Sequence, residues 1–178
     1  MDAHWPPGMM ASMRLKLAST DDFITLRRLF DDPSFHGWGG PGPLSDELIR
    51  AKYLGARLPD VECYLVLVEE QAVGLVQLHV DGADCAGIDL ILSPSARGQG
   101  TGRRVVDAMV ARARERNIAR LTVDPEAGNE RGVRFWRAVG FEPRQTVTDH
   151  AGRAPYVVLS RSTEAAAIGC CSSVTQSD

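Results

Sequence analysis

The stretch SARGQGTGRR, residues 95–104, places glycine at 98, 100 and 102, with an arginine before them and two behind. Glycine takes up positive φ without a Cβ penalty and lets a ligand lie directly against the backbone. The apolar run AGIDLIL (86–92) precedes it. Val105, Val106, Met109, Val110 and Ala113 follow at helical spacing. A strand, a glycine loop and a helix start together form an anion cradle, because the first amides of a helix lack internal acceptors and carry its positive dipole end. The chemistry that fits is capture of a pyrophosphate, with Arg97 beside it; a plain flexible turn is the other reading. The stretch lacks the GK[ST] ending of a P-loop and the glycine spacing of GxGxxG.

Other residue types stand out against their surroundings. Asp89 is an acid inside the otherwise apolar GIDLIL (87–92), where an unpaired buried carboxylate would be costly. It therefore faces either solvent, by simple alternation, or a cleft. Asp124 ends the run ARLTVD before Pro125, as a cap or as a cleft residue. Trp38, in the glycine/proline loop FHGWGGPGP, and Tyr53 are candidates for a wall against a ring or for core packing.

The elements that must position these residues follow from periodicity. Arg14–Ala18 alternates like an edge strand. Ser19 and Asp22 form a capping-box pattern ahead of Phe23, Leu26, Leu29 and Phe30, a helix that ends before Pro33. A second helix is predicted from Ser45 to about Leu58. ECYLVLVEE and AVGLVQLHV read as an antiparallel hairpin, and AGIDLILSP as a further strand. A helix over 102–116, a buried strand ARLTVD, a helix over 130–139 closed by Gly140, and a terminal hairpin around 150–152 complete the order. The fold class is α/β (α+β), with helices on both faces of one sheet.

The chain has 178 residues, 44% hydrophobic and 24% charged, enough for one domain with a proper core. Residues 1–12 read as a leader, 13–162 as the domain and 163–178 as a tail. A formal net charge of −3 argues against a nucleic-acid binder, which needs a basic face. The cysteines at 63, 85, 170 and 171 show no CxxC or Cys/His ligand spacing, so no metal is expected and free thiols in a reducing cytoplasm fit best. No apolar run is long enough for a membrane span, and the opening MDAHWPPGMMASM lacks the pattern of a signal peptide. Monomer and homodimer both remain open.

Arg97-Gly98-Gln99-Gly100-Thr101-Gly102, entered from a strand and leading into a helix, resembles the acetyl-CoA pyrophosphate loop of the GNAT N-acetyltransferases. NERGVRFWRAVGF (129–141) is similar to that superfamily's second cofactor segment. Within the superfamily, WGG (38–40), YL (53–54), GLVQ (74–77), GIDLIL (87–92), TVDPEAGN (122–129), AVGF (138–141) and TVT (146–148) resemble the bacterial aminoglycoside 6′-N-acetyltransferases. The resemblance implies a single-domain GNAT fold with a mixed, mostly antiparallel sheet splayed at the cofactor cleft. It also implies acetyl transfer from acetyl-CoA, without metal, to the 6′-amine of an aminoglycoside.

On that resemblance the roles divide as follows. Asp89 is the base that assists loss of the amine proton. The backbone of Leu90, Ile91 and Leu92 polarises the thioester carbonyl. Arg97, Gly98, Gln99, Gly100, Thr101, Gly102 and Arg103 hold CoA, with Asn129 and Trp136 from the second segment. Trp38, Tyr53, Gln77, Asp89 and Asp124 bind the substrate. Two features depart from the family: Trp136 stands where a tyrosine usually serves the leaving thiolate, and an indole N–H cannot supply that proton. The 80–87 connection is also short, leaving Asp81 and Asp84 where relatives carry an acidic, aromatic insertion. Acetylation of another amine (a polyamine, a siderophore precursor or a protein amine) is the nearest rival, and a catalytically weak acyl-CoA-binding module a further one.

Overall fold

The computed structural model describes residues 12–36, 44–148 and 154–164. Over them run β1 (Met13–Leu17), α1 (Phe23–Asp31), α2 (Asp46–Tyr53), β2 (Val61–Val68), β3 (Gln71–Val80) and β4 (Cys85–Leu92). Then follow α3 (Thr101–Glu115), β5 (Arg120–Val123), α4 (Glu130–Ala138), β6 (Glu142–Val147) and β7 (Tyr156–Ser162). The strands form one sheet in the order β1-β2-β3-β4-β5-β7-β6, antiparallel throughout except for β4 against β5.

Period-2 alternation sends each strand's apolar residues to two separate cores. Val66, Val76, Leu78 and Ile88 pack under α3 and α4 with Val105, Val106, Met109 and Trp136. Cys63, Leu65, Leu67 and Leu75 pack on the opposite face against Leu26 and Phe30 of α1 and Ile49 and Tyr53 of α2. Helices on both faces of a mixed sheet are thus found as expected. Ser19 and Asp22 make the expected capping box ahead of α1, and Ser45 caps α2 by accepting from the Leu48 amide. The second helix stops at Tyr53 instead of Leu58, because Gly55 takes φ +85° and turns the chain. At the other end of the domain, Thr163 is 2% exposed and donates to the Ile118 carbonyl, so the packed chain runs past 162.

The parallel pair is the short one. β5 meets β4 only at Cys85–Gly87, opposite Arg120–Thr122, while β4 continues to Leu92 along β3. The start of this pair is fixed by the Asp84 carbonyl, which accepts from the amides of both Ala119 and Arg120.

A buried ion cluster locks the sheet to α3. Glu62, 5% exposed, accepts from Arg112 at 2.8 and 2.9 Å, from Arg116 at 3.0 Å and from the Tyr64 hydroxyl at 2.6 Å. Burial by itself would raise the Glu62 carboxyl; the hydrogen bonds from Arg112 and Tyr64 and the charges of Arg112 and Arg116 outweigh it and hold the group below its ordinary value. A carboxyl depressed in the folded state adds stability above its unfolded titration range, near ~4.3, and loses it as pH falls through the folded value. Glu62→Gln should therefore cost about 1–3 kcal/mol in urea unfolding at neutral pH. The difference from the parent protein should shrink in acid, as the pH falls through the lowered titration range of Glu62 itself.

Candidate active site

The backbone of β4 has two distinct edges. The Ser93 amide donates to the Val73 carbonyl, so by alternation the amides of Ile91 and Asp89 also face β3. Those of Leu90 and Leu92 turn the other way, toward β5, where strand pairing has already ended at Gly87. A wedge opens there, with backbone donors along one wall. Of the three residues expected to polarise a carbonyl, Leu90 and Leu92 present amides to the wedge and Ile91 presents its amide to β3.

At the wedge's end lies the glycine loop. Gly98 and Gly100 hold φ of +76° and +77°, and nothing lies within 4 Å of where a Cβ would sit on either. Gly100 is the N-cap of α3 and makes no side-chain cap to it, and the first amides of a helix have no acceptor within the helix. Neighbouring side chains fasten the loop: Arg97 Nε donates to the Leu92 carbonyl at 2.8 Å, and Gln99 Nε2 to the Ser95 carbonyl at 2.8 Å. Arg103 reaches the Ala138 carbonyl at 2.7 Å, at the negative end of α4. The Thr101 side chain is buried, which leaves its amide as the group it can present.

The third glycine also serves a packing purpose. Gly102 lies inside α3, and a Cβ there would meet the Phe135 ring at 2.9 and 3.0 Å. The missing side chain lets α4 approach α3, while the Gly102 amide stays in the first turn of the helix. Trp136 is likewise core: it is 7% exposed and lies edge-on between Phe135 and Phe141, at centroid distances of 5.0 and 5.1 Å. That leaves it little surface to offer a cofactor. Asn129 caps α4, its Oδ1 accepting from the Gly132 amide at 2.9 Å.

A cleft of about 360 Å³ opens beside the wedge, on the α1–α2 side of the sheet, lined by His79, Asp81, Asp89, Thr122 and Asp124 around Gly87. Register explains the grouping. Gln77 sits opposite Asp89, His79 opposite Gly87, and Gly87 opposite Thr122, all on one face. Asp89 and Asp124 are both exposed into this space. Three carboxylates around one opening give a negative potential suited to a polycationic amine. A larger hollow of about 590 Å³ lies between α1 and the β1–β2 edge, remote from the cleft. Its Arg14–Glu70 and Lys16–Asp22 pairs neutralise each other.

Opposite Asp89, Gln77 is 8% exposed and its Nε2 has no hydrogen-bond partner among the described residues. Tyr53 is 2% exposed and packs on Phe30 at 4.9 Å. Its hydroxyl is pushed up to about 12, first by burial and then by the neighbouring Cys63 and Asp89. Its ring is thus core, while its hydroxyl lies within electrostatic reach of Asp89. Trp38 lies outside the described residues. The sequence reading did not assign His79, Gly87 or Thr122 a role. The signal was available in the alternation, since 77 and 79, 87 and 89, and 122 and 124 each differ by two and share one face.

Gly98→Ala or Gly100→Ala would force a Cβ into the left-handed region, at about 1–2 kcal/mol. Each should weaken CoA binding up to about tenfold in calorimetric titration, with a smaller change in melting temperature. Gly102→Ala should do the reverse, lowering the melting temperature by displacing Phe135 and affecting CoA less.

Comparison with known proteins agrees with this geometry. The model of the acetyltransferase (GNAT) family matches residues 23–141. The aminoglycoside N(6′)-acetyltransferase type 1 of Klebsiella pneumoniae is 26% identical over 168 residues, 84% of each chain. A kanamycin resistance protein of Rhizobium radiobacter is 34% identical over 77 residues, covering 42% of this chain and 71% of that one. Among solved structures, aminoglycoside acetyltransferase AAC(6′)-Ib in complex with coenzyme A superposes with a TM-score of 0.73 at 24% identity, over 85% of this chain and 95% of that one. A spermidine N-acetyltransferase of Vibrio cholerae reaches 0.69 at 15% identity, over 85% and 94%. With the family model spanning well over half its length, the chain belongs to the GNAT acetyltransferase family.

Proposed function

We propose that this protein transfers acetyl from acetyl-CoA to the 6′-amine of aminoglycoside antibiotics in the cytoplasm, and so confers resistance to them. The observation that carries the reading is the juxtaposition of an acidic cleft holding Asp81, Asp89 and Asp124 with the β4–β5 wedge. Support also comes from the relatives in Klebsiella pneumoniae and Serratia marcescens, both named aminoglycoside N(6′)-acetyltransferases and both matched over 84% of their length. The residues present fit acetyl-CoA: Gly98 and Gly100 leave open space where a Cβ would sit, directly at the uncapped start of α3.

When bound, acetyl-CoA supplies an activated acyl group. The rest is the work of this chain. The Gly98–Gly100 backbone and the first amides of α3 bind the pyrophosphate. The Leu90 amide, turned into the wedge, donates to the thioester carbonyl and stabilises negative charge as it develops there. Asp81, Asp89 and Asp124 bind ammonium groups of the substrate, and Asp89 takes the proton that keeps the attacking amine from being a nucleophile. Transfer is direct, within a ternary complex.

Thiol release should be seen with aminoglycosides that carry a 6′-amine, such as kanamycin and tobramycin, and be absent with those that carry a 6′-hydroxyl. Preference for spermidine over every aminoglycoside would move the assignment to another amine, and CoA binding without thiol release under any amine would leave only an acyl-CoA-binding module. Asp89→Asn should lower kcat on the order of 10²-fold with CoA affinity intact; full turnover by this variant would remove Asp89 as the base.

A further inference from the structure

The geometry points to His79 as the outlet by which the proton released at Asp89 leaves the cleft for solvent. The inference rests on acetyl transfer to an amine with Asp89 as first acceptor, and it begins from the proton balance of that reaction. An alkylammonium brings three protons on its nitrogen. The amide product keeps one, the departing thiolate takes one as the C–S bond breaks and the N–C bond forms, and one must reach solvent in every turnover. A carboxylate that accepts this proton has to lose it before the next cycle.

His79 is placed to receive it. Among the described residues lining the cleft it alone carries an imidazole, a group that exchanges protons readily near neutral pH. It is exposed, at the outer part of β3 before the turn into β4. Asp89 is its diagonal cross-strand neighbour, since Gln77 pairs with Asp89 and His79 with Gly87. Diagonal neighbours stand about 7–8 Å apart at Cα, within reach of a long or aromatic side chain and a carboxylate.

Gly87 supplies an independent observation. It has no positive φ, and a Cβ there would make only ordinary contacts, 3.9 Å to Thr122 Oγ1 and 4.0 Å to the His79 carbonyl. Neither backbone conformation nor crowding requires glycine at this position. Its consequence is that no side chain stands between His79 and Thr122 on the cleft face of the sheet, beside Asp89. Among the described residues that line the cleft with His79, the charged ones are acidic: Asp81 from the turn, Asp89 from β4 and Asp124 at the end of β5. On the β2 side its partner is Val61, with Asp60 beyond it holding the Val80 amide. An imidazolium formed there is thus surrounded by carboxylates and faces solvent.

The test uses the full-length protein and whichever amine of the panel the parent acetylates fastest, in dilute buffer. His79→Ala should lower kcat roughly tenfold, less than loss of a direct base because water competes for the proton. KM for the amine should change less than about twofold. Added imidazole, or a higher concentration of any small buffer, should restore most of the rate. Gly87→Val, a residue suited to a strand, adds a branched side chain on the face that His79 and Asp89 share and should lower kcat in the same buffer-sensitive way. An unchanged kcat in His79→Ala, or a loss that neither imidazole nor buffer restores, would overturn the proposal. Failure of the aminoglycoside reading shows instead in the parent protein, through the amine it prefers.

Discussion

A parallel strand pair that ends early leaves one strand edge with donors and no ladder to receive them, and the proposed chemistry rests on that edge. β4 stays registered with β3 along its whole length, so it cannot move to follow β5. After Gly87 and Thr122 the two strands part. Buried backbone amides tolerate no such orphaning, so the parting requires either water or a ligand that accepts hydrogen bonds. The glycine loop and the start of α3 continue the same row of donors at the end of β4. On the proposed reading, one departure from regular sheet gives the acyl donor its backbone surface.

The acceptor side is built on a different principle. There the sheet remains regular, and its alternation projects Asp89, His79 and Thr122 onto one face while Asp124 follows at the end of β5. The regular face gives these side chains a firm base: Gln77 and Cys63 lie in register beside Asp89, with Tyr53 of α2 in the same core as Cys63, each less than 9% exposed. Burial pushes the Cys63 thiol up to about 12, so it stays protonated and inert. The Glu62 cluster ties the first residues of β2 to the end of α3.

What was legible in the sequence was local. The capping box at Ser19 and Asp22, the stripe Val105–Ala113 and the glycine loop all depend on residues a few positions apart, and all took the form their spacing implied. The α2 terminus was misjudged because a helical pattern of side chains continued past a glycine that turns the backbone. The three glycines looked equivalent because nothing in the stretch reveals that Phe135, from another helix, packs on Gly102. Trp136 raised the same difficulty, since an aromatic on an amphipathic helix does not declare which neighbours surround it. The cleft was half legible: Asp89 and Asp124 stood out as acids in apolar strands, whereas His79 and Gly87 join them only through cross-strand register.

The double acceptor at Asp84 has a consequence for how such a cleft can vary. Its carbonyl holds the amides of Ala119 and Arg120 at 2.9 and 3.0 Å, and it belongs to the turn that joins β3 to β4. It acts as the hinge pin of a pair of dividers: the strands are joined there and diverge with distance from it. The spread at Asp89 and Asp124 is then governed by where the pin sits, and hence by the length of the turn that carries it. Insertion or deletion in this turn offers a way to resize the opening for acceptors of different bulk, while the donor loop, at the far end of β4, keeps its own geometry.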